Sequence, residues 1–194
     1  MRQTDKNLTS EEKILYADDS KESVGLMVRL RMPWLLIGLV GGMAASFIAS
    51  KFETLLSQNI ALAFFIPFIV YMSGAVGTQT ETIFVRNLKK GVPKFFIYVI
   101  KEFLLGLIIG LFFGAAVGLF AYFWIHSIKI AIAVGLAMFV NIAIAPVIAL
   151  VIPEILFKEH TDPALGGGPF TTIIQDILSI VIYFIVASAI ILTS

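Results

Sequence analysis

One carboxylate lies inside the last long apolar segment of the chain, Pro169–Leu192, and its neighbours suggest cation chemistry. At about 100° per residue, Thr172, Asp176, Ser179 and Tyr183 fall within roughly 60° of each other on a helix. An ionised carboxylate near the middle of a membrane span costs about 2.5–3.5 kcal/mol on insertion scales, so Asp176 should face protein, water or an ion. We interpret Asp176 as the centre of a cation path. The alternative is that Asp176 is a buried acid whose hydrogen bonds are satisfied by neighbouring residues.

The residues just before this segment have turn chemistry. Asp162-Pro163 is followed by three glycines and then Pro169. This pattern predicts a loop that bends back toward a cavity, and such a loop is tolerated at membrane depth only where it avoids lipid.

A second polar stretch, residues 73–81, interrupts an earlier apolar segment. Gly74, Gly77 and Glu81 share one helical face there, with Ser73 beside them. Glu81 closely precedes a basic cluster, which predicts a position near the inner mouth of a pore. The alternative for Glu81 is an ion pair with Arg86 or Lys89.

Three further polar residues within the apolar segments have simpler interpretations. Gln79 and Asn141 are interpreted as hydrogen-bonding residues between helices rather than as ion ligands. Glu102 follows Lys101 directly, so we expect it to lie at the membrane interface and to be paired there.

The available ligand types favour a hard cation. The chain has no cysteine, and His126 and His160 have no ligand partner one helical turn away, so a thiolate or histidine metal site is not expected. Carboxylate, hydroxyl and carbonyl oxygens suit hard cations, and Mg²⁺ keeps most of its waters and is bound through one or two carboxylates. One Asp176 per chain, doubled across a two-fold axis, would meet that need.

The composition fits one membrane domain. Of the 194 residues, 59% are hydrophobic and 14% charged, far from a soluble domain. The net charge of +1 gives no field that would attract nucleic acid. A nucleophile, a base and an orienting group do not occur together, so an enzyme is not expected, nor is a resident cofactor.

The hydropathy pattern predicts an all-α polytopic membrane protein. Residues 1–31 form a polar tail with an amphipathic helix from Ser20 to about Arg31, opened by a capping box of Asp19 and Glu22. Residues 32–194 form the membrane domain, located in the cell (inner or plasma) membrane. Its five spans are predicted at Pro33–Phe52, Ile60–Asn87, Phe95–Ile125, Lys129–Leu150 and Pro169–Leu192.

The basic residues predict the orientation of these spans. All but two of the 14 Lys and Arg residues, Lys51 and Lys129, precede the first span or lie in the second–third and fourth–fifth loops. Because cytoplasmic loops carry the excess of Lys and Arg, the amino terminus should be inside and the carboxy terminus outside.

Small residues recur every four places in two spans and predict close helix packing. We expect both stripes to pack against helices without touching substrate. The stripes are Gly106, Gly110, Gly114 and Gly118 in the third span, and Gly38, Gly42, Ser46 and Ser50 in the first.

Several short motifs follow one another along nearly the whole chain after Arg29. They are Arg31–Trp34, Phe52-Glu53, Ala61–Pro67, Gly74–Gln79, Arg86–Leu88, Lys101-Glu102, Pro153, Asp162–Leu165 and the xPxxTxxxD pattern that ends at Asp176. In this order and spacing they resemble the membrane domain of the MgtE magnesium channels, which are related to an animal solute-carrier family. Gly74–Gln79 is similar to that family's GGNxGNQ stretch.

The resemblance implies a homodimeric, cation-selective channel in the lipid bilayer. By that resemblance, Asp176 is the selectivity residue and holds a hydrated Mg²⁺ on the dimer axis, with backbone oxygens of Thr172 and Gly168 helping. Asp162 is then near the cytoplasmic end of the pore and can join a regulatory metal site. Glu81 adds an acid where the family has a small residue, usually Ala.

The family's cytosolic amino-terminal and CBS domains are not found in this sequence, so we expect gating by another route or through a separate regulatory subunit. The transported ion is expected to be Mg²⁺, with Mn²⁺, Co²⁺ and Ca²⁺ left open. Two alternatives of other classes remain at this point. One is a proton-coupled or exchange-type secondary carrier for Mn²⁺, Co²⁺ or another small solute, and the other is a non-transporting membrane subunit that docks a partner through residues 1–31.

Overall fold

A computed structural model describes residues 22–88, 95–160 and 163–192, with the side chains of residues 164–166 left aside. In this part of the chain the backbone is helical almost throughout, which confirms the all-α class. The helices are α1 (Val24–Ser50), α2 (Glu53–Gln58), α3 (Ile66–Leu88, entered through a 3₁₀ turn at Ile60–Phe65), α4 (Phe95–Ile125), α5 (Ile128–Lys158) and α6 (Pro163–Leu192).

Within the described ranges, all of these helices except the short α2 are long and apolar enough to cross a membrane. Large apolar side chains cover the outer surfaces of the bundle, as lipid contact requires; Val40, Ile108 and Phe123 are each at least 66% exposed. The predicted five-span membrane architecture is therefore confirmed.

The first helix begins later than the capping pattern predicted and continues without a break. The side chain of Ser23 accepts a hydrogen bond from the backbone N–H of Leu26, so Ser23 is the N-cap. The proposed capping residue Asp19 lies outside the described residues. No helix end separates Arg31 from the first span, because Pro33 is accommodated within α1.

The connection between the last two spans also differs from the prediction. Helix α5 continues past Leu150 to Lys158, with Pro146 and Pro153 inside it, and α6 begins at Pro163. The predicted loop up to Pro169 is therefore wrong, since the glycines form the first turns of α6. Proline suits the first helical position because its fixed φ is helical and its missing N–H is not needed there.

Helix α5 lies at the centre of the bundle, in contact with α3, α4 and α6. Helix α1 packs on α6, where Trp34 meets Phe170 edge to face at 5.7 Å and Gly41 lies against Ile173. Of the residues of α1, all of them described, only Ala45 is buried. This helix is therefore the least enclosed of the five spans.

The glycine stripe of α4 packs closely against α5, as predicted. A Cβ added at Gly106, Gly110 or Gly114 would lie 2.9, 2.8 or 2.7 Å from the carbonyl oxygen of Ala143, Phe139 or Gly135, respectively. The two helices run antiparallel. A step of four residues forward in α4, from one glycine to the next, therefore corresponds to a step of four residues backward in α5.

The stripe of α1 behaves differently. A Cβ at Gly38 or Gly42 would meet no atom within 4 Å, and the hydroxyls of Ser46 and Ser50 bond to backbone carbonyls of α1 itself. Within one chain this stripe is uncovered, so the packing predicted for it is not made there.

Candidate cation site

A buried polar seam joins α3 to α6. The side-chain amide of Gln175 donates hydrogen bonds to the backbone oxygen and to the hydroxyl of Ser73, and the hydroxyl of Ser179 donates to the same hydroxyl at 3.1 Å. All three residues are at most 2% exposed. The Gln175 amide lies where a side chain on Gly77 would be, so the glycine provides the space that it fills.

The seam extends to the other helices. The side-chain amide of Asn141 in α5 donates to the carbonyl oxygens of Ala137, at 2.9 Å, and Ser179, at 3.5 Å. The hydroxyl of Tyr183 donates to the carbonyl oxygen of Leu62 at 2.7 Å. Because no water competes inside a membrane, these bonds fix the rotation of α6 about its own axis.

The interpretation of Asn141 as a hydrogen-bonding residue between helices is confirmed. The Gln79 side chain is exposed in the single chain, so the same interpretation of this residue stays a prediction. Gln175 supplies the buried amide instead, and the sequence analysis missed it. Its signal was the four-residue spacing of Gly167, Thr171, Gln175 and Ser179, which matches the spacing of Ser73, Gly77 and Glu81 on the antiparallel α3.

Glu81 is held at the end of the seam where α3 ends and α6 begins. Its Oε1 lies 2.7 Å from the position that a Cβ on Gly167 would take, and its carboxylate lies beside the buried side chain of Thr171. In the described residues the Glu81 carboxylate thus approaches α6, rather than forming the ion pair with Arg86 that was the alternative interpretation; Lys89 lies outside the described residues.

Glu81 lines a cavity of about 550 Å³, which we call the mouth pocket. Its walls come from the last turns of α3 and the first turns of α6. The lining residues are Thr78, Glu81, Thr82, Val85, Arg86, Pro163, Gly168 and Thr172. The mouth pocket therefore brings three of the predicted site residues together: Glu81, Gly168 and Thr172.

Asp176 is half-buried and does not line the mouth pocket. Gly168, Thr172 and Asp176 follow one another at four-residue intervals, so each is about 6 Å further along α6 than the one before. By helical geometry this stripe lies between the face of α6 that packs on α3 and the face that packs on α1. It is left open: Thr172 is exposed, and a Cβ at Gly168 would meet nothing within 4 Å.

The two other acids singled out from the sequence, Glu102 and Asp162, do not join the mouth pocket in the described part of the chain. Glu102 accepts a hydrogen bond at 3.1 Å from the hydroxyl of Thr80 in α3, whereas Lys101 is exposed, so the polar partner of Glu102 is Thr80. The predicted site residue Asp162 lies outside the described residues. Across the described ranges, no three His, Cys, Asp or Glu side chains form a group that could hold a metal ion.

Comparison with known proteins gives the family. The MgtE family, described as a divalent cation transporter, matches residues 66–186, which is more than half of the chain. The magnesium transporter MgtE of Bacillus subtilis is 34% identical over 165 residues, and that of Enterococcus faecalis is 34% identical over 161 residues. The corresponding protein of Thermus thermophilus is 28% identical over 160 residues.

These alignments cover 81–82% of this chain but only 35–36% of the relatives. The chain thus spans about a third of the length of the curated relatives it matches. The family and the five apolar helices identify a multi-pass membrane protein, of a kind that lies in the plasma membrane in bacteria. The chain belongs to the MgtE family of divalent cation transporters.

Proposed function

We propose that this protein conducts divalent cations, Mg²⁺ in particular, through a pore formed between two copies of the chain. Asp176 of both copies attracts and holds the hydrated ion, and backbone oxygens of Thr172 and Gly168 help to position its waters. The observation that carries this proposal is the open stripe of α6, in which an acid is half-buried and faces away from the helices that pack on α6.

The chemistry of this acid supports a second copy. A carboxylate facing lipid is costly, so Asp176 needs water, protein or a cation in front of it. Mg²⁺ gives up its bound water reluctantly, so proteins commonly hold the hydrated ion with one or two carboxylates. Two symmetric Asp176 side chains would suit such an ion. The uncovered stripe of Gly38 and Gly42 on α1 also favours a second chain, because small residues let helices approach closely in lipid.

The distribution of charge supports an inward orientation for the amino terminus. Among the described basic residues, Arg29, Arg31, Arg86, Lys101 and Lys158 belong to the end of the bundle where α1 begins, α3 ends and α6 begins. Positive residues favour the cytoplasm. The mouth pocket is then at the cytoplasmic end of the pore. Glu81, together with Asp162, adds negative potential there.

The choice of Mg²⁺ is supported by the relatives, which are magnesium transporters by name. Proton-coupled or exchange transport of Mn²⁺ or Co²⁺ is the competing function, and it predicts uptake that depends on a proton gradient or on a counter-ion.

The test is divalent-cation flux into proteoliposomes for the wild type, Asp176→Ala and the control Glu154→Gln, with Mg²⁺ and Mn²⁺ measured side by side. Glu154 is a good control because its partner is Lys158, at 3.0 Å at the end of α5, and it lies outside the mouth pocket. We expect Asp176→Ala to reduce Mg²⁺ flux at least tenfold and Glu154→Gln to leave it within twofold. Equal flux for Asp176→Ala and the wild type would reject the proposal.

A further inference from the structure

Asp176 lies between two tight contacts of α6, each made over a glycine of a neighbouring helix. On one side, the side-chain amide of Gln175 fills the space over Gly77 of α3, where an added Cβ would lie 2.8 Å from its Nε2. On the other side, Ile173 fills the space over Gly41 of α1, where an added Cβ would lie 2.8 Å from its Cγ1. Each contact therefore depends on a glycine.

These two contacts fix the direction in which the open stripe of α6 points. At about 100° per residue, Gln175 is about 100° from Asp176 in one direction around the helix, and Ile173 is about 60° from it in the other. A rotation of α6 either way would move both side chains sideways out of the spaces over the glycines. The direction of the Asp176 side chain thus follows from the two contacts.

The Gln175 contact is the stronger of the two. Its amide donates hydrogen bonds to the backbone oxygen of Ser73 and, at 3.0 Å, to the Ser73 hydroxyl, and both residues are at most 2% exposed. A buried amide has no water to bond to instead within a membrane, so these bonds persist. The Ile173 contact is apolar and is made with α1, a fully described helix in which only Ala45 is buried. Gln175 therefore supplies most of the restraint on the rotation of α6.

A small rotation of α6 would change the position of the Asp176 carboxylate considerably. A helix with its side chains has a radius of about 5–6 Å, so a rotation of about 20° moves the carboxylate by about 2 Å. In two chains related by a two-fold axis, the gap between the two carboxylates would change by up to about 4 Å. Since Mg²⁺ lies about 2.0–2.1 Å from its bound oxygens, such a change decides whether the ion fits with all of its waters.

From this geometry we propose that Gln175 is a positioning residue for ion selectivity. Its bonds to Ser73 hold α6 at the rotation in which the Asp176 carboxylates leave room for a hydrated cation. This role rests on the proposed function, in which Asp176 holds the ion. Gln175 does not itself bind the ion, because its amide is buried between α3 and α6.

Loss of this restraint should weaken the distinction between Mg²⁺ and Ca²⁺. Mg²⁺ releases its waters reluctantly and demands a regular shell, whereas Ca²⁺ accepts about six to eight oxygen ligands in flexible geometry. A site of variable width should therefore lose more of its Mg²⁺ flux than of its Ca²⁺ flux.

The first experiment measures Mg²⁺ and Ca²⁺ flux into proteoliposomes for the wild type and Gln175→Leu. Leucine is close to glutamine in size but cannot donate a hydrogen bond to Ser73. We expect the ratio of Mg²⁺ to Ca²⁺ flux to fall at least fivefold. The matched control is Phe184→Leu, which removes a ring stacked on Phe52 at 4.4 Å, about two helical turns beyond Asp176, and should leave the ratio within twofold.

The second experiment measures the rotation of α6 directly by thiol labelling. The chain has no cysteine, so Thr171→Cys and Thr172→Cys each introduce a single thiol. Thr171 is 2% exposed whereas Thr172 is exposed, so a charged, water-soluble thiol reagent should label only Thr172→Cys. With Gln175→Leu added, the labelling rate of Thr171→Cys relative to Thr172→Cys should rise at least fivefold.

Ser73→Ala provides a second variant if Gln175→Leu does not fold. It removes only the hydroxyl acceptor, so it should change the flux ratio and the labelling in the same direction but by less. An unchanged flux ratio in the well-folded variant would overturn the proposal, whatever the labelling shows. An equal fall of the ratio in Phe184→Leu would also overturn it, because general loosening would then explain the effect. A changed flux ratio with unchanged labelling would overturn it as well, since α6 would not have rotated.

The positioning role and the proposed function fail in distinguishable ways. Flux that is insensitive to Asp176→Ala would reject the ion path at Asp176 and, with it, the role of Gln175. Flux that depends on Asp176, together with a Mg²⁺ to Ca²⁺ ratio that is insensitive to Gln175→Leu, would reject only the positioning role.

Discussion

The α4–α5 and α3–α6 contacts use the same glycine spacing for two different purposes. In α4–α5, the glycines let backbone approach backbone, and a Cβ at Gly114 would lie 2.7 Å from the carbonyl oxygen of Gly135. In α3–α6, Gly77 and Gly167 leave space for the polar side chains Gln175 and Glu81. A glycine in a membrane helix therefore indicates a close neighbour, and the facing residue decides whether that neighbour is backbone or a polar group.

The two contacts differ in what holds them together. Lipid removes the hydrophobic drive for helix association, so α4–α5 depends on close van der Waals packing. The seam of α3–α6 adds hydrogen bonds of Gln175, Ser73 and Ser179, which would otherwise be unsatisfied in hydrocarbon. Substitutions should thus be most damaging where backbone would have to move, and less damaging where a side chain can move aside.

The largest effect on stability is expected for Gly114→Leu in α4. The new side chain would meet the backbone of Gly135 and the Cβ of Phe139, neither of which can rotate away. Overpacking typically costs about 1–3 kcal/mol, and we expect the upper end of that range here because only backbone and a Cβ face the new side chain. Thermal unfolding in detergent, followed by tryptophan fluorescence, measures the loss.

The matched control for Gly114→Leu is Gly38→Leu in α1, where nothing lies within 4 Å of the added Cβ. We expect Gly38→Leu to leave the stability of the single chain within about 0.5 kcal/mol of the wild type. Similar losses in the two variants would contradict the close packing of α4 on α5.

An intermediate effect is expected for Gly77→Ala in α3. The added methyl group would displace the Gln175 amide from Ser73, and the loss of those bonds should cost about 1–2 kcal/mol. In combination with Gln175→Ala, the second substitution should add little, because the first has already broken the contact. Additive losses in this double-mutant cycle would show that Gly77 and Gln175 act independently.

The smallest effect is expected for Ser179→Ala in α6. It removes one hydrogen bond to Ser73, and such bonds between membrane helices contribute about 0.6 kcal/mol on average. Ser46→Ala is the matched control, since that hydroxyl bonds only to the backbone of its own helix in the described structure. A loss above about 2 kcal/mol for Ser179→Ala would mean that the seam behaves as one cooperative network.

The long apolar segments were predictable because a bilayer demands about twenty apolar residues per span. The start of α6 at Pro163 was not predictable in this way, because a proline followed by glycines favours a turn when only the local sequence is considered. They become helical in a structure in which Glu81 packs against Gly167, a contact distant in sequence. The tertiary environment overrode local propensity there.

The candidate site was predictable in part for a similar reason. Asp176 and Glu81 both stand out in the sequence because each is a charged residue within an apolar segment. Gln175 and Thr171 are uncharged, and their roles depend on the rotation of α6 against α3, which no single segment encodes. The uncovered glycines of α1 show the converse: their spacing predicted packing, yet the single chain supplies nothing to pack on them.

The four-residue register of α4 on α5 also limits how the protein can move. Each glycine from Gly106 to Gly114 sits over a particular carbonyl of α5, so a slide by one residue would bring side chains against backbone all along the contact. Only a jump of a whole four-residue repeat, about 6 Å, would restore the fit. The α4–α5 pair therefore behaves as a fixed frame. In the proposed ion path, a change in width would then come from α6 and the loosely packed α1 moving against this frame.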